Sequence, residues 1–376
     1  MNKRTWVEID TNAISKNIKN YRKILPKNTK LMSVIKANAY GHDLNITAKT
    51  AIDSGIDYLS VFNFEDALIL RKKYKNIPIL VLKQIDIFDI NSAIKSKIDI
   101  TISSLFTLND IVGSKDFKKS KNKLRVHLKV DTGLSRQGFL IQDLKKVVEL
   151  LKESTNIELI GLYTHFAGTE SRKFNNYTKS QVAELLIWQK EFNDTGFKFI
   201  THASATSGVL LEPSLAFDMV RLGIGTYGLW PSSEMKSLKE NDLKLYPVLS
   251  WKTVISEIKT VPPNTGIGYD VSYKTQDKTK VAVLPIGYWD GLPRAVSNNI
   301  DVLINGTRCR LLGRVMMNMC IVDIGKVKKP VVGNEVIIIG KSGKQVVSAE
   351  ELAICGGTIN YEIVTRINPE IKRIAV

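Results

Sequence analysis

Cysteine is scarce in this chain. There are three, Cys309, Cys320 and Cys355, an odd number with no C-x-x-C spacing. That argues against a disulfide framework, and the thiols read as reduced, as in cytosolic proteins. The four histidines, His42, His127, His165 and His202, form no HExxH and no Cys/His cluster, so no metal site is expected. No apolar run approaches the roughly eighteen residues of a membrane helix. The start, Met1 to Asp10, carries Lys3 and Arg4 but no apolar stretch behind them, and does not read as a signal peptide. A cytoplasmic location is the expectation. Acidic residues are also short: 37 against 54 basic ones, for a net charge of +17. The lysines are spread along the whole chain, however. The densest cluster, Lys115 to Lys123, includes Asp116 and Ser120 and reads as a solvated loop. Without a basic stripe interleaved with aromatics, neither nucleic acid nor a membrane is expected as partner.

With 376 residues, 44% of them hydrophobic, the chain has room for about two domains. Eight short runs rich in β-branched residues alternate with longer segments of helical periodicity. They are Leu31–Lys36, Tyr58–Phe62, Ile77–Leu82, Ile98–Ser103, Leu124–Val130, Leu159–His165, Phe199–Ser204 and Met219–Gly223. Ile14, Ile18, Tyr21 and Leu25 share one helical face, as do Leu185, Leu186 and Trp188. Asn63 and Ser348 stand where helix caps belong. Near-continuous apolar strands alternating with helices predict an α/β fold, a (β/α)8 TIM-type barrel over residues 1–235. The segments Pro231-Ser232-Ser233 and Lys236–Lys244 read as a linker. Beyond them, short strands separated by Pro262-Pro263-Asn264, Asn305-Gly306 and Ser342-Gly343 predict a mostly-β domain over residues 236–376.

Barrel active sites lie at the C-terminal ends of the strands. Lys36 ends the first run. A lysine in a desolvated mouth has a lowered pKa and suits Schiff-base chemistry, although position alone favours a surface loop lysine. Lys129 stands one residue before the end of the fifth run, with Arg136 beyond it, and His165 ends the sixth. Ser207 follows the seventh, and Arg221 lies in the eighth, before Gly223-Ile224-Gly225. The loops after strands seven and eight are the common phosphate site of this fold, and their glycines let backbone N–H groups approach a dianion. Ordinary glycine turns, and an Arg221 paired with Asp218, remain open at this level.

The run Ile35-Lys36-Ala37-Asn38-Ala39-Tyr40-Gly41-His42 resembles the pyridoxal-phosphate attachment signature of bacterial alanine racemases. Trp6-Val7-Glu8-Ile9-Asp10, Lys129-Val130-Asp131-Thr132-Gly133, Ile286-Gly287-Tyr288-Trp289-Asp290-Gly291 and Tyr361-Glu362-Ile363 are similar to the same family, so the resemblance spans nearly the whole chain. It implies pyridoxal 5'-phosphate as cofactor and interconversion of L-alanine and D-alanine, supplying D-alanine for peptidoglycan. It also implies a head-to-tail homodimer whose β domain completes the partner's active site. Lys36 would carry the cofactor and act as one base, and Tyr269, from the other subunit, as the opposite base. His165 and Arg221 would stabilise the Tyr269 phenolate, which is otherwise a poor base. Arg221 would also face the pyridine nitrogen as a donor that cannot accept a proton. Tyr40, Ser207, Gly223, Ile224 and Tyr361 would hold the phosphate, and Arg136 would contact the phenolic oxygen and the substrate. Met317 would bind the substrate carboxylate, while Tyr288 and Tyr361 narrow the entrance. Lys129 matches a lysine that carries a carbamate in many members, bridging to the arginine.

Some positions depart from the family pattern. Asn318 and Met319 replace a usual aspartate and glutamine, Trp289 a small residue, and Thr206 an asparagine. Ser135 and Gln137 flank Arg136 unusually. Asn318 removes a negative charge near the substrate end, which opens serine or another amino acid as substrate. A decarboxylase of the same fold would carry an acid where Arg221 stands. A non-enzymatic cofactor-binding barrel would lack the β domain and Tyr269.

Overall fold

The apolar runs fold as the parallel strands they predict. A computed structural model describes residues 4–118, 120–170 and 175–376. After β1 (Thr5–Ile9) come β2 (Lys30–Val34), β3 (Tyr58–Val61), β4 (Ile79–Val81), β5 (Asp99–Ile102), β6 (Leu124–Lys129), β7 (Ile157–Tyr163), β8 (Ile200–His202) and β9 (Met219–Leu222). Among the described residues β2 to β9 form one parallel eight-stranded sheet in the order β8-β7-β6-β5-β4-β3-β2-β9. Its two edges meet where Asp218 N–H donates to the Thr201 carbonyl and Arg221 N–H to the Ser204 carbonyl, both at 3.0 Å. These strands are buried on both faces, which is why their sequences run apolar with little alternation. Met32, Tyr58, Leu80 and Met219 pack together as one apolar cluster.

The helix Thr11–Ile24 buries Ile14, Ile18 and Tyr21 as expected. Asn176–Asp194 buries Leu185, Trp188 and Phe192 but leaves Leu186 exposed, because one residue turns a helix by about 100°. Ser348 accepts from Glu351 N–H as a cap, whereas Asn63 makes no side-chain cap bond. Part of the stretch expected to be a linker is the helix Ser233–Lys239, whose first turn is capped by Ser232 accepting from Met235 N–H. The lysine cluster expected to be a loop contains a short helical turn, Lys115–Lys118, and Lys119 lies outside the described residues.

By its contacts the chain divides into two units. One holds Ala13–Ala37 and Thr47–Tyr246, the barrel; the other holds the chain up to Asn12, Asn38–Ile46 and Pro247–Val376. The sequence reading put the boundary at 235/236 and left the N-terminus with the barrel. In the structure β1 belongs to the β unit. It pairs antiparallel with β10 (Leu249–Val254) and parallel with the C-terminal strand Arg373–Ala375. The reason is in its pattern: Val7 and Ile9 are buried while Glu8 between them meets Lys252 at 2.9 Å. That is the alternation of a half-exposed antiparallel strand. Following β10 are β11 (Glu257–Val261), β12 (Thr279–Leu284), β13 (Asp301–Ile304), β14 (Thr307–Leu312), β15 (Cys320–Asp323) and β16 (Glu335–Ser342). They continue the sheet in the order β11-β12-β15-β14-β13-β16-β10-β1.

Candidate active site

Lys36 stands two residues beyond the end of β2. Ile35 is buried, and its N–H donates to the Ser60 carbonyl at 2.8 Å, so the backbone is held up to the mouth. There the chain turns the wrong way for an α-helix. Ala37, Asn38, Ala39 and Tyr40 have φ between 51° and 54°, and Gly41 follows at 80°. This is one left-handed turn, which costs L-residues about 1–2 kcal/mol each. Asn38 offsets part of that by accepting from Leu44 N–H at 2.8 Å. Lys36 itself is partly buried, and its pKa is lowered by burial first, then by Arg136 and Arg221.

Lys129, the last residue of β6, is buried, and its pKa falls to about 8 through desolvation, with Arg136, Arg221 and Lys36 adding to the effect. Its Nζ donates to Gln137 Oε1 at 3.3 Å, and Gln137 Nε2 donates to Ser103 Oγ. Arg136 is exposed on a loop shaped by Asp131, which accepts the N–H groups of Gly133, Ser135 and Arg136. Arg221 is buried in β9 and contacts no carboxylate among the described residues. One terminal nitrogen donates to His202 Nδ1 and the His202 carbonyl. The other donates to the carbonyls of Thr164 and Ala203 and to His165 Nδ1. Burial draws its pKa down to about 10, and the Tyr163 ring, 5.2 Å away, offers the cation its face. Asp218 is engaged elsewhere, accepting from Thr201 N–H, so the pairing with Arg221 left open by the sequence does not form. His165 is held neutral well below its ordinary range, by burial and then by Arg221, Arg136, Lys129 and Lys36.

Four cationic groups thus converge on one mouth, and the protonation of Lys36, Lys129 and Arg221 is depressed there. Such a set fits an anionic ligand, and a lysine with a lowered pKa fits one that bears an aldehyde. Ser207 lies in the short helix Thr206–Leu211 after β8, its Oγ 2.8 Å from Thr169 Oγ1. Thr206 Oγ1 accepts from the N–H groups of Gly223 and Gly225, which ties the loop after β9, with Ile224, to this helix. Glycine at 225 has a packing reason as well: a Cβ there would lie 2.5 Å from the Tyr21 hydroxyl.

In the β unit, Tyr40 and Tyr361 face each other, ring centroids 6.2 Å apart. Tyr269 projects from a loop with positive φ at Gly268, Asp270 and Val271, and is 68% exposed. Tyr288 and Met317 stand on paired segments, with Tyr288 N–H donating to Met316 O and Trp289 N–H to Met317 O. The structure therefore brings Lys36, Lys129, Arg136, His165 and Arg221 within electrostatic reach of one another in the barrel, with Ser207 on the helix after β8. It groups Tyr40 with Tyr361, and Tyr288 with Met317, in the β unit. No group of His, Cys, Asp or Glu able to hold a metal occurs among the described residues, and no helix among them is long and apolar enough to cross a membrane.

Several residues of this site escaped the sequence reading. Tyr163 stacks on His202, centroids 4.6 Å apart and planes 7° from parallel. His202 Nε2 meets His127 Nδ1 at 2.9 Å, and His127 approaches Asp99. The signal that could have found them is period two: Arg125, His127 and Lys129 alternate with buried Val126 and Leu128.

A lysine-bearing parallel barrel joined to a mostly-β unit defines a two-domain barrel enzyme. Family models agree over both parts: alanine racemase, N-terminal domain, matches residues 9–231, and alanine racemase, C-terminal domain, matches residues 248–375. The chain is 36% identical to an alanine racemase of Leptospira interrogans, over 99% of this chain and 96% of that one. It is also 36% identical to an alanine racemase of Methanococcus maripaludis, over 98% of each. The crystal structure of alanine racemase from Bacillus anthracis with bound L-Ala-P superposes with a TM-score of 0.92 at 32% identity, covering 100% of this chain and 96% of that one. An alanine racemase structure from Clostridium difficile 630 gives 0.91 at 34% identity, with the same coverage. The chain belongs to the alanine racemase family.

Proposed function

We propose that this chain interconverts L-alanine and D-alanine with pyridoxal 5'-phosphate as cofactor, supplying D-alanine for cell-wall peptidoglycan. The observation that carries this reading is the cationic mouth around Lys36, where Lys36, Lys129 and Arg221 are held below their ordinary ranges and Arg136 adds its charge. A ligand with phosphate and phenolate charges and an aldehyde answers each of them. Bound there, the cofactor supplies the electron withdrawal that lets the α-C–H bond of the amino acid break. Lys36 binds the cofactor covalently and moves the α-proton on one face. Tyr269, supplied by a second subunit, moves it on the other. Two groups on opposite faces are what inversion of one carbon needs. Arg221 and His165 are donors toward the ring nitrogen and the tyrosine oxygen. Arg136 meets the phenolic oxygen and the substrate. Ser207, Tyr40, Tyr361 and the backbone of Gly223 and Ile224 take the phosphate, Met317 the substrate carboxylate, and Tyr288 with Tyr361 the entrance.

The head-to-tail homodimer is supported by exposure. Tyr269, Trp289 and Met317 are 68%, 59% and 57% exposed, and a base that must work away from water needs a cover. On this reading each β domain, residues 236–376 in the sequence division, completes the other subunit's site. Lys129 is proposed to carry a carbamate, because a pKa of about 8 leaves its amine partly neutral and nucleophilic near pH 7. Intact-mass analysis finding no added carbon dioxide on Lys129 would sink that part. The cytoplasm is the proposed location, in keeping with the free thiols of Cys309, Cys320 and Cys355.

The test is chiral analysis of cofactor-loaded protein given L-alanine, L-serine and L-lysine in parallel. D-alanine approaching an equal mixture, abolished in Lys36→Ala, supports the reading. Preference for serine keeps the mechanism and points to Asn318. Release of carbon dioxide, or no product from loaded protein, refutes it.

A further inference from the structure

Arg221 is a buried cation whose contacts are all neutral, and the hydrogen-bond directions around it run one way. A guanidinium can only donate, so His202 Nδ1, 2.9 Å from Arg221, is the bare nitrogen and His202 Nε2 carries the hydrogen. That Nε2 lies 2.9 Å from His127 Nδ1, which must accept, leaving the His127 hydrogen on Nε2. His127 Nε2 makes no hydrogen bond among the described residues and faces Asp99 Oδ2 at 3.4 Å, a charge contact with a carboxylate buried at the first residue of β5. Asp99 is itself held by Arg125 at 2.6 Å and by the Tyr58 hydroxyl at 3.0 Å. All three members, Asp99, His127 and His202, are fully buried. Gly161 makes room for the chain, since a Cβ there would lie 2.2 Å from His127 Nδ1.

We infer that Asp99 is a positioning residue for Arg221, acting through His202 and His127, whose one-way donors end on a His127 Nε2–H that faces the buried carboxylate electrostatically. The chain and the carbonyls of Thr164, His202 and Ala203 engage both terminal nitrogens of the guanidinium. The Nε–H has no hydrogen-bond partner among the described residues, and it is the donor left for a ligand ring. Asp99 thereby supplies a counter-charge to a cation that the mouth cannot pair without losing its donor character. An acid in direct contact with Arg221 would draw the Nε–H or a terminal N–H to itself. Two neutral imidazoles relay the attraction while leaving that donor where it is. The inference rests on pyridoxal phosphate being the ligand of the mouth only for its kinetic consequence; the tautomer chain stands on the protein alone.

The experiment uses full-length protein labelled with 15N-histidine, whose four histidines give few signals to assign. In cofactor-free and loaded protein, His127 and His202 are expected neutral, with bare Nδ1 and protonated Nε2. A cationic ring, or the opposite tautomer at either residue, overturns the chain. Asp99→Asn is then expected to move both sets of signals. It should also weaken pyridoxal phosphate binding to apoprotein and lower kcat by roughly threefold to thirtyfold, with KM for alanine little changed. Arg125→Gln removes the other partner of Asp99 and serves as the structural control. It should destabilise the barrel yet leave the histidine signals in place and kcat within about twofold. If Asp99→Asn leaves the signals and kcat unmoved, or if Arg125→Gln lowers kcat as much as Asp99→Asn, the positioning role is refuted. If wild-type apoprotein does not bind pyridoxal phosphate, the proposed function fails, while the tautomer pattern still decides the chain.

Discussion

Arg221 donates to His165 Nδ1 at 3.0 Å, and that bond fixes the chemistry of the other ring nitrogen. Since the guanidinium cannot accept, His165 Nδ1 is bare and Nε2 carries the hydrogen. Burial, then the surrounding cations, hold the ring neutral well below the ordinary imidazole range. His165 is therefore a neutral donor throughout the physiological range. The variant His165→Phe deletes the donor and is expected to lower kcat by about 100-fold, the order found for one donor facing developing negative charge. His165→Gln should recover part of it. The kcat profile of the parent should show no inflection near pH 6.5 that disappears in His165→Gln. Equal rates for parent and both variants would remove His165 from the site.

The cation cluster makes a stability prediction with a definite sign. Without a carbamate, Lys129 titrates at about 8 in the folded chain against an ordinary lysine value of 10.5. Between those values the unfolded chain binds more protons than the folded one, so folded stability rises with pH through that window. Cofactor-free protein should melt higher at about pH 9 than at about pH 7 for this reason. Inorganic phosphate, compared with chloride at equal ionic strength, should raise the lower value and flatten the slope. Lys129→Met should flatten it without phosphate. A melting temperature that falls with pH in the parent, and equally in Lys129→Met, would show that the cluster is not strained.

How far the site was legible depends on where each residue sits on its strand. Lys36, Lys129, His165 and Arg221 announce themselves as polar residues at the C-terminal ends of apolar runs, where barrel chemistry collects. Asp99 begins its strand, at the other end, where an acid reads as ordinary edge polarity. His127 and His202 lie inside strands, and their meeting across the barrel depends on register, which one strand's sequence does not carry. Ala37 and Ala39 are strong formers of right-handed helix, so their positive φ has no local signature beyond Asn38 and Gly41. β1 belongs with the β unit for a related reason. Its alternation of Val7, Glu8 and Ile9 is visible, but its partners, β10 and the strand Arg373–Ala375, lie far away in sequence.

Gly287 sits where a side chain has no room. A Cβ there would lie 2.1 Å from the Met316 carbonyl oxygen and 2.4 Å from that of Met317. Both obstacles are backbone, so Gly287→Ala must push apart the segments bearing Tyr288 and Met317. Overpacking of this kind costs about 1–3 kcal/mol. The expected result is a lower denaturant midpoint together with a KM for alanine raised more than kcat is lowered. A KM unchanged despite the lost stability would separate Met317 from substrate binding.

The left-handed turn after Lys36 should respond to glycine in the opposite sense to most helices. Ala37 has φ of 53° and an exposed side chain, so its methyl group contributes strain and little packing. Replacing it by glycine relieves about 1 kcal/mol or more of left-handed strain. The unfolded chain gains freedom that offsets about 0.5–1 kcal/mol of that. Ala37→Gly is therefore expected to be neutral to stabilising by as much as about 1 kcal/mol, whereas glycine within an ordinary helix costs about that amount. Its effect on kcat should run the other way, because a looser turn positions Lys36 less firmly. Urea titration and turnover of the same preparation test both halves. A loss of stability above about 1 kcal/mol would mean that the turn is held by something Ala37 supplies, and that the strain inferred from its φ is absent.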